Sequence, residues 1–456
     1  MKTTHPGLEY ALEYPLFKGL FERRTRRMSK GIKVVPAGPL TYTSNQEPQP
    51  LDPLEEAVLI AATGLTGRTT PDRPFQDEQG NNIMGTPNLN MIGRAAGSPD
   101  NAQATHFFLI NDSGTYFLRR PPNLQPIDIY NATPDQLIEL AEACKQKILD
   151  HRLEMPREMP YYIGSNRFVS NTPGSTIFLP IVDVTWQYIN GLMFLLTQPD
   201  GYRPAFTDEM KFNRYAGVEK WVRSGYLNKD MKIPLGLLEG MRAPLEAPLL
   251  LQNLMLVLQA MGLGGWIHAS FSGPILTGNP ATKFKTAFQF EHQKPRFKLT
   301  NILNWLSYST GVRPNPVGLP GVIQGLCPPY VKDMSEAVDR VIKHKYAKEG
   351  VYSDIHYFDK IFKNGLGEKY IQNVPHYPPE VIEVTKDICN YIYNTYGRFP
   401  AHTDAIQVPG IWLQAHHLDL DYYDHLFRDG YDKSHALHQK LWHGAGDGLS
   451  SPITEE

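Results

Sequence analysis

Apolar positions along the chain follow two interleaved patterns, helical spacing in some stretches and short dense runs in others. Leu16, Leu20 and Phe21 share one side of a short helix within residues 10–30, which ends in Arg23-Arg24-Thr25-Arg26-Arg27. A Pro/Gly-rich connector covers 35–53, and an apolar helix is predicted from about Leu54 to Ala62, ending near Gly64. From Gly93 to Asp112 the chain reads as loop, short turn and strand. HFFLIND has the density of a buried strand, and Asn111-Asp112-Ser113-Gly114 carries turn residues. Thr133-Pro134-Asp135-Gln136 offers an N-cap, a first-turn proline and a glutamine at N3. With Leu137, Leu140, Ala141, Cys144 and Ile148 on one face, a helix is predicted from Thr133 to about His151. A strand, an Asp/Thr cap and a second helix follow within SNTPGSTIFLPIVDVTWQYINGLMFLL.

The longest apolar stretch, Ala243 to Ile267, is interrupted by Glu246, Gln252, Asn253 and Gln259. A membrane helix needs about 20 predominantly apolar residues, so this stretch is expected to be the buried helix of a soluble core. A strand is expected around Gly321 to Leu326 and a helix from Pro379 to Tyr396, stopped by Gly397. Mixed helices and strands imply an α+β or α/β class. The expected division is a core over 1–345, with an insertion or lid at about 120–240, and a C-terminal extension over 346–456.

Composition narrows the function. A formal net charge of −2 argues against a general nucleic-acid binder. Three scattered cysteines, Cys144, Cys327 and Cys389, give neither a disulfide framework nor a thiolate zinc site. The opening MKTTHPGLEY lacks the apolar run of a signal peptide. A cytoplasmic protein with no membrane partner is the expectation.

Three stretches carry candidate chemistry. Four arginines and a threonine in five residues, Arg23 to Arg27, suit a phosphate, because guanidinium forks match its oxygens. A solvated basic helix end is the alternative. In Gly93 to Gln103, small residues permit close backbone approach, and the Asn101 and Gln103 carboxamides can donate and accept along the edge of a flat heterocycle. They could equally bond local backbone. In 243–273 an apolar helix runs into Gly262-Leu263-Gly264-Gly265 and then Trp266-Ile267-His268-Ala269. Backbone N–H groups freed there can face an atom that becomes electron-rich on reduction. A glycine helix cap accounts for one of the glycines.

In this order the stretches resemble the FMN-binding nitroreductase family. ERRTRRM resembles its RRSxRxF-type phosphate segment, GSPDNAQATHFFLI its APSxxNxQPxxFxVV segment, and APLLLQNLMLVLQAMGLGGWI its QNxxLAAxALGLGxxWI helix. The likeness spans about residues 10–345 with interruptions, and LPGVIQGLCPP resembles the family's late strand. It implies an α+β fold with a nitroreductase-like three-layer α/β/α core, enlarged by the middle insertion and the C-terminal extension. Arg23, Arg24, Thr25 and Arg27 match the phosphate ligands, Asn101 and Gln103 the pyrimidine-edge contacts, and Ile267, His268 and Ala269 the backbone near flavin N5 and O4. The resemblance further implies a homodimer, NADH or NADPH as electron donor, and a small-molecule organic acceptor.

Two departures stand out. His268-Ala269 replace glycines that are common in the family, so His268 is expected to shape the pocket. Only Lys332 is available as the basic residue after the late strand. A flavin-dependent dehydrogenase or oxidase, or a non-catalytic flavin-binding protein, remain alternative readings. The tail places seven of the 15 histidines between His402 and His443. Without an HExxH or tidy HxH spacing, and with His416 and His417 about 100° apart if helical, no metal site is expected there. The tail is expected to cover the active-site mouth or the dimer partner.

Overall fold

Dense apolar runs that bury both faces of a strand set the centre of this fold. The computed structural model describes residues 5–444, except 65–66, 69, 81–85, 87, 120–128, 156, 158–161, 163, 237–242, 271–276, 278–287, 297–298, 300–301, 303–314 and 405–410. Seven strands form one sheet: β1 (Thr105–Asn111), β2 (Gly114–Leu118), β3 (Lys145–Leu149), β4 (Thr176–Asp183), β5 (Gly264–His268), β6 (His402–Asp404) and β7 (Trp412–His416). Across the sheet the order is β5-β7-β4-β1-β2-β3, and β6 pairs with β4. Every pairing is antiparallel.

Successive side chains of a strand point to opposite faces. Phe107 and Leu109 of β1 join one apolar cluster, while Phe108 and Ile110 join another. That double burial explains the unbroken HFFLI run. The first cluster is built with α1 (Pro6–Glu13), α3 (Pro53–Thr63), α4 (Pro134–Cys144) and α6 (Glu246–Met261). The second face packs against Leu153, Tyr162, Phe288, Phe290 and Ile323. A third cluster holds α5 (Thr185–Leu196), α7 (Met334–Tyr346) and α8 (Pro379–Tyr396) together beyond the Asp183 end of β4.

Local signals set most helix ends. Asp52 and Glu55 form a capping box at α3, as Thr133 and Gln136 do at α4. Gly397, left-handed at φ 70°, ends α8. The helix predicted to run to about His151 instead stops at Cys144. Lys145 turns extended, pairs with Leu118 across to β2, and its ammonium meets the Glu56 and Glu142 carboxylates. Sheet pairing there overrides helical periodicity. The strand expected near Gly321 to Leu326 is a short hairpin, Pro316–Leu319 with Ile323–Gln324, in a separate three-stranded sheet.

Chain order and spatial order part company in the later segments. Residues 120–240, expected as an insertion or lid, supply β3, β4, α4 and α5. Residues 346–456, expected as an extension, supply β7, which lies between β5 and β4 inside the sheet. They also supply α9 (Leu420–Leu426) and α10 (Lys433–His443), the latter packed on α1 and α6. β7 is buried on both faces, with Leu413 and Ala415 on one and Trp412, Gln414 and His416 on the other, Gln414 accepting from Asn171 N–H and donating to Val169 O.

Candidate functional site

The glycine-rich exit of α6 has three separate physical reasons. Gly262 caps the helix in the left-handed region at φ 79°. A Cβ on Gly264 would strike the Leu418 and His416 side chains, and one on Gly265 would strike Leu258 of α6. Helix and edge strand can therefore lie against each other only because side chains are missing there.

β5 forms one edge of the sheet, and the basic segment docks against it: Arg26 N–H donates to Gly265 O at 3.3 Å. Arg26 is buried, with Nε donating to Gly430 O at 2.8 Å and Nη1 to Gln259 Oε1 at 3.3 Å. It is the one arginine of the run that the family resemblance did not assign to phosphate, and it anchors the segment. Arg24, Thr25 and Arg27 around it are exposed and Arg23 is half-buried. Arg24 donates to the Phe21 and Arg23 carbonyls, and the Arg27 guanidinium lies 5.3 Å from the Trp266 ring centre. Among the described residues, no carboxylate forms an ion pair with Arg23, Arg24 or Arg27. The group is thus a patch of cationic charge held by a buried anchor.

The second stretch flanks the other half of α6. Glu246, fully buried, accepts from Ser98 Oγ and from Thr105 N–H at 3.0 Å, and it pairs with Arg94 at 3.5 Å. Asn253 Nδ2 donates to Ala95 O at 2.6 Å. Asn101 Nδ2 donates to Asn90 O and Gln103 Nε2 to Ile92 O at 2.9 Å, so both carboxamides bond local backbone. Asp100, Asn101 and Gln103 all have positive φ, at 52°, 48° and 53°. Strained non-glycine positions of this kind cluster at functional loops. Gln103 also lines a cavity of about 230 Å³ with Arg94, His106, Arg119 and Cys144, between α3 and α4.

His268 does not stand in an open pocket. Its ring stacks on Trp266 at 3.7 Å and meets Trp412 edge-on at 4.9 Å, with Ser270 Oγ 2.5 Å from Nδ1. Burial, then the Arg27 charge and His416, hold its pKa well below the usual range, so the ring is neutral. Ile267 points to the opposite face, into the α6 cluster, and Ala269 is half-buried. What β5 offers a ligand is therefore backbone. Arg26 bonds Gly265 from outside, and the two-residue period places the Ile267 and Ala269 backbone groups along that same outer edge.

The nine candidate residues thus fall in two groups flanking one helix. β5 and β1 are three strand intervals apart, or about 14 Å at the usual spacing. Sequence reasoning missed the Arg26 anchor, Gln259 and the place of β7. Their only signal was a buried-looking polar residue within an apolar helix.

The chain matches no known family model, and no curated protein sequence matches it. Among the described residues, no helix is long and apolar enough to cross a membrane.

Proposed function

We propose that the chain is an FMN-dependent oxidoreductase of the nitroreductase-like kind, taking electrons from NADH or NADPH and delivering them to a small organic acceptor. The observation that carries this reading is the gathering of three sequence-distant segments around α6. The basic segment is anchored through Arg26 to Gln259, the 93–103 loop through Ser98 to Glu246 and Ala95 to Asn253, and β5 follows the helix directly.

The residues fit the group chemically. The guanidinium groups of Arg23, Arg24 and Arg27, which no carboxylate among the described residues pairs, suit a phosphate. The outer backbone edge at Ile267 and Ala269 suits the polar rim of a flat ring system. Asn101 and Gln103 would have to exchange their bonds to Asn90 and Ile92 for bonds to a ligand, and the strained loop carrying them can supply that change. FMN, when bound, supplies two-electron transfer. This chain's residues hold and orient it, and the neutral His268 fixes β5 between two indoles without acting as a proton donor.

A second copy of the chain completes the proposal. Leu16, Phe17, Leu20 and Phe21 of α2 (Leu16–Glu22) are exposed, as are Leu245 and Leu249 at the start of α6. An apolar row of this kind beside the site fits a dimer contact. The decisive experiment is reconstitution of the folded full chain with FMN. Flavin absorption bands that survive gel filtration are expected, and folded protein that emerges colourless overturns the reading.

A further inference from the structure

Among the described residues, one buried group of ionisable side chains lies apart from the β5 edge. It is assembled from three remote parts of the chain: Glu55 in the first turn of α3, His417 just after β7, and His438 and His443 on α10. Glu55 is fully buried, and His417 and His438 are 1% and 3% exposed. All three histidines turn the same nitrogen, Nε2, toward the one carboxylate. His417 Nε2 is 3.2 Å from Oε2, while His438 Nε2 and His443 Nε2 are 2.9 and 3.1 Å from Oε1.

Proximity alone would describe an ordinary hydrogen-bonded cluster, but two features go further. First, His417 Nε2 and His438 Nε2 have no hydrogen bond despite these short separations. At these separations neither ring nitrogen meets hydrogen-bond geometry with a carboxylate oxygen, and the four ligand atoms lie within 4.8 Å of one another. A buried imidazole nitrogen left in this way is costly unless something else occupies its lone pair. Second, each ring has a polar group behind it. His438 Nδ1 is 2.7 Å from the Met261 carbonyl at the end of α6, which places its proton on Nδ1 and leaves Nε2 bare. His443 Nδ1 is 3.6 Å from Asp52 Oδ2, and His417 Nδ1 is 3.4 Å from Gln439 Nε2, which also donates to Gln49 Oε1 at 3.3 Å. Outer acceptors that orient a histidine and fix its tautomer are the usual support of a metal ligand.

We infer that Glu55, His417, His438 and His443 form a closed structural site for a divalent transition-metal ion, zinc first. Three neutral imidazoles and one carboxylate are a donor set that zinc accepts, and His438-x4-His443 falls within the spacing common for histidine ligands of structural zinc. Bonds of about 2.0–2.1 Å in a tetrahedron place donors about 3.4 Å apart. The carboxylate–imidazole separations of 2.9–3.2 Å lie a few tenths of an ångström inside that edge, and all four ligand atoms lie within 4.8 Å of one another. The capping box holds Glu55 rigidly, since Oε2 accepts the Asp52 N–H at 2.8 Å and leaves Oε1 toward two of the rings. Lys30, whose charge also reaches this cluster, donates to Gln49 Oε1 at 2.6 Å. His443, at the partly exposed end of α10, gives an ion its way in. A metal there would bolt α10 and the β7 exit to the start of α3, so that binding stabilises the folded chain.

The test uses full-length protein made without a histidine tag, stripped with chelator and titrated with Zn(II) and, separately, Co(II). One ion per chain is expected, with the intense visible bands of four-coordinate cobalt and a raised melting temperature. Glu55→Gln, which retains a capping-box side chain, and His438→Gln should each weaken binding at least tenfold, with circular dichroism unchanged. Three results would overturn the site: no binding near one equivalent in folded protein, affinity untouched by both variants, or the weak bands of six-coordinate cobalt. FMN retention is read from its own absorption in the same samples, so this inference and the flavin reading stand or fall separately.

Discussion

Buried histidines close to one edge of the sheet are held in two opposite ways. His268 leaves β5 into a sandwich of Trp266 and Trp412, with no carboxylate beside it among the described residues. His417, one residue beyond the neighbouring strand β7, meets Glu55 together with His438 and His443. For His268 desolvation dominates and drives the pKa well down. Around Glu55 the carboxylate opposes desolvation. The acid stays well below the usual carboxylate range despite burial, because three imidazoles crowd its oxygens, and His443 rises above its ordinary value because of Glu55. Burial by itself thus makes a histidine inert, whereas burial around a shared anion makes a polar centre whose parts depend on one another.

Removing that anion should produce the largest effect. Glu55→Ala, measured by urea unfolding in chelator, is expected to lose about 3–5 kcal/mol, because it strands buried polar partners and deletes the α3 capping box. A loss under about 1 kcal/mol would mean that the cluster is not a coupled unit.

The cationic patch beside His268 should behave differently, mattering for ligand and not for fold. Arg23→Ala with Arg27→Ala is expected to lower FMN affinity by two or more orders of magnitude, since each charge-assisted bond contributes about 1.5–3 kcal/mol. Flavin fluorescence titration measures this. Unchanged affinity would reduce the patch to solvated surface.

His268 itself should show in the pH profile. Its folded pKa is depressed, so the unfolded chain takes up a proton below about pH 6.5 that the folded chain refuses. Stability should therefore fall as pH drops from about 6.5, at about 1.4 kcal/mol per pH unit from this one group. In His268→Gln that part of the slope should disappear while FMN is retained. Parallel wild-type and variant curves would show that the ring is not held neutral.

The smallest change in stability is expected at the exposed apolar row. Leu20→Glu should leave the unfolding midpoint nearly unchanged, within about 0.5 kcal/mol, while shifting light scattering from dimer to monomer. A persistent dimer would place the contact elsewhere on the molecule.

The sequence by itself determined the local structure wherever a signal was confined to a few neighbours. The capping box at Thr133, the HFFLI strand with its 111–114 turn, α6 with its Gly262 cap, and α8 ending at Gly397 were all legible, because caps, turns and periodicity act within one or two helical turns. The mixed α+β class followed from the same signals. Tertiary structure decided what depended on remote partners. Lys145 left its helix for a ladder with Leu118. Glu55, which belongs to no motif read from the sequence, became the hub of three histidines more than 350 residues away. Adjacent His416 and His417 were separated by the end of a strand rather than by a helical turn, and only His417 reached Glu55. The tail, compositionally distinct, went into the middle of the sheet because β7 buries Leu413 and Ala415 on one face and Trp412 on the other, with Gln414 bonded to the backbone of remote residues. Cross-strand neighbours and buried partners have no fixed sequence spacing, and burial free energy depends on what finally surrounds a side chain.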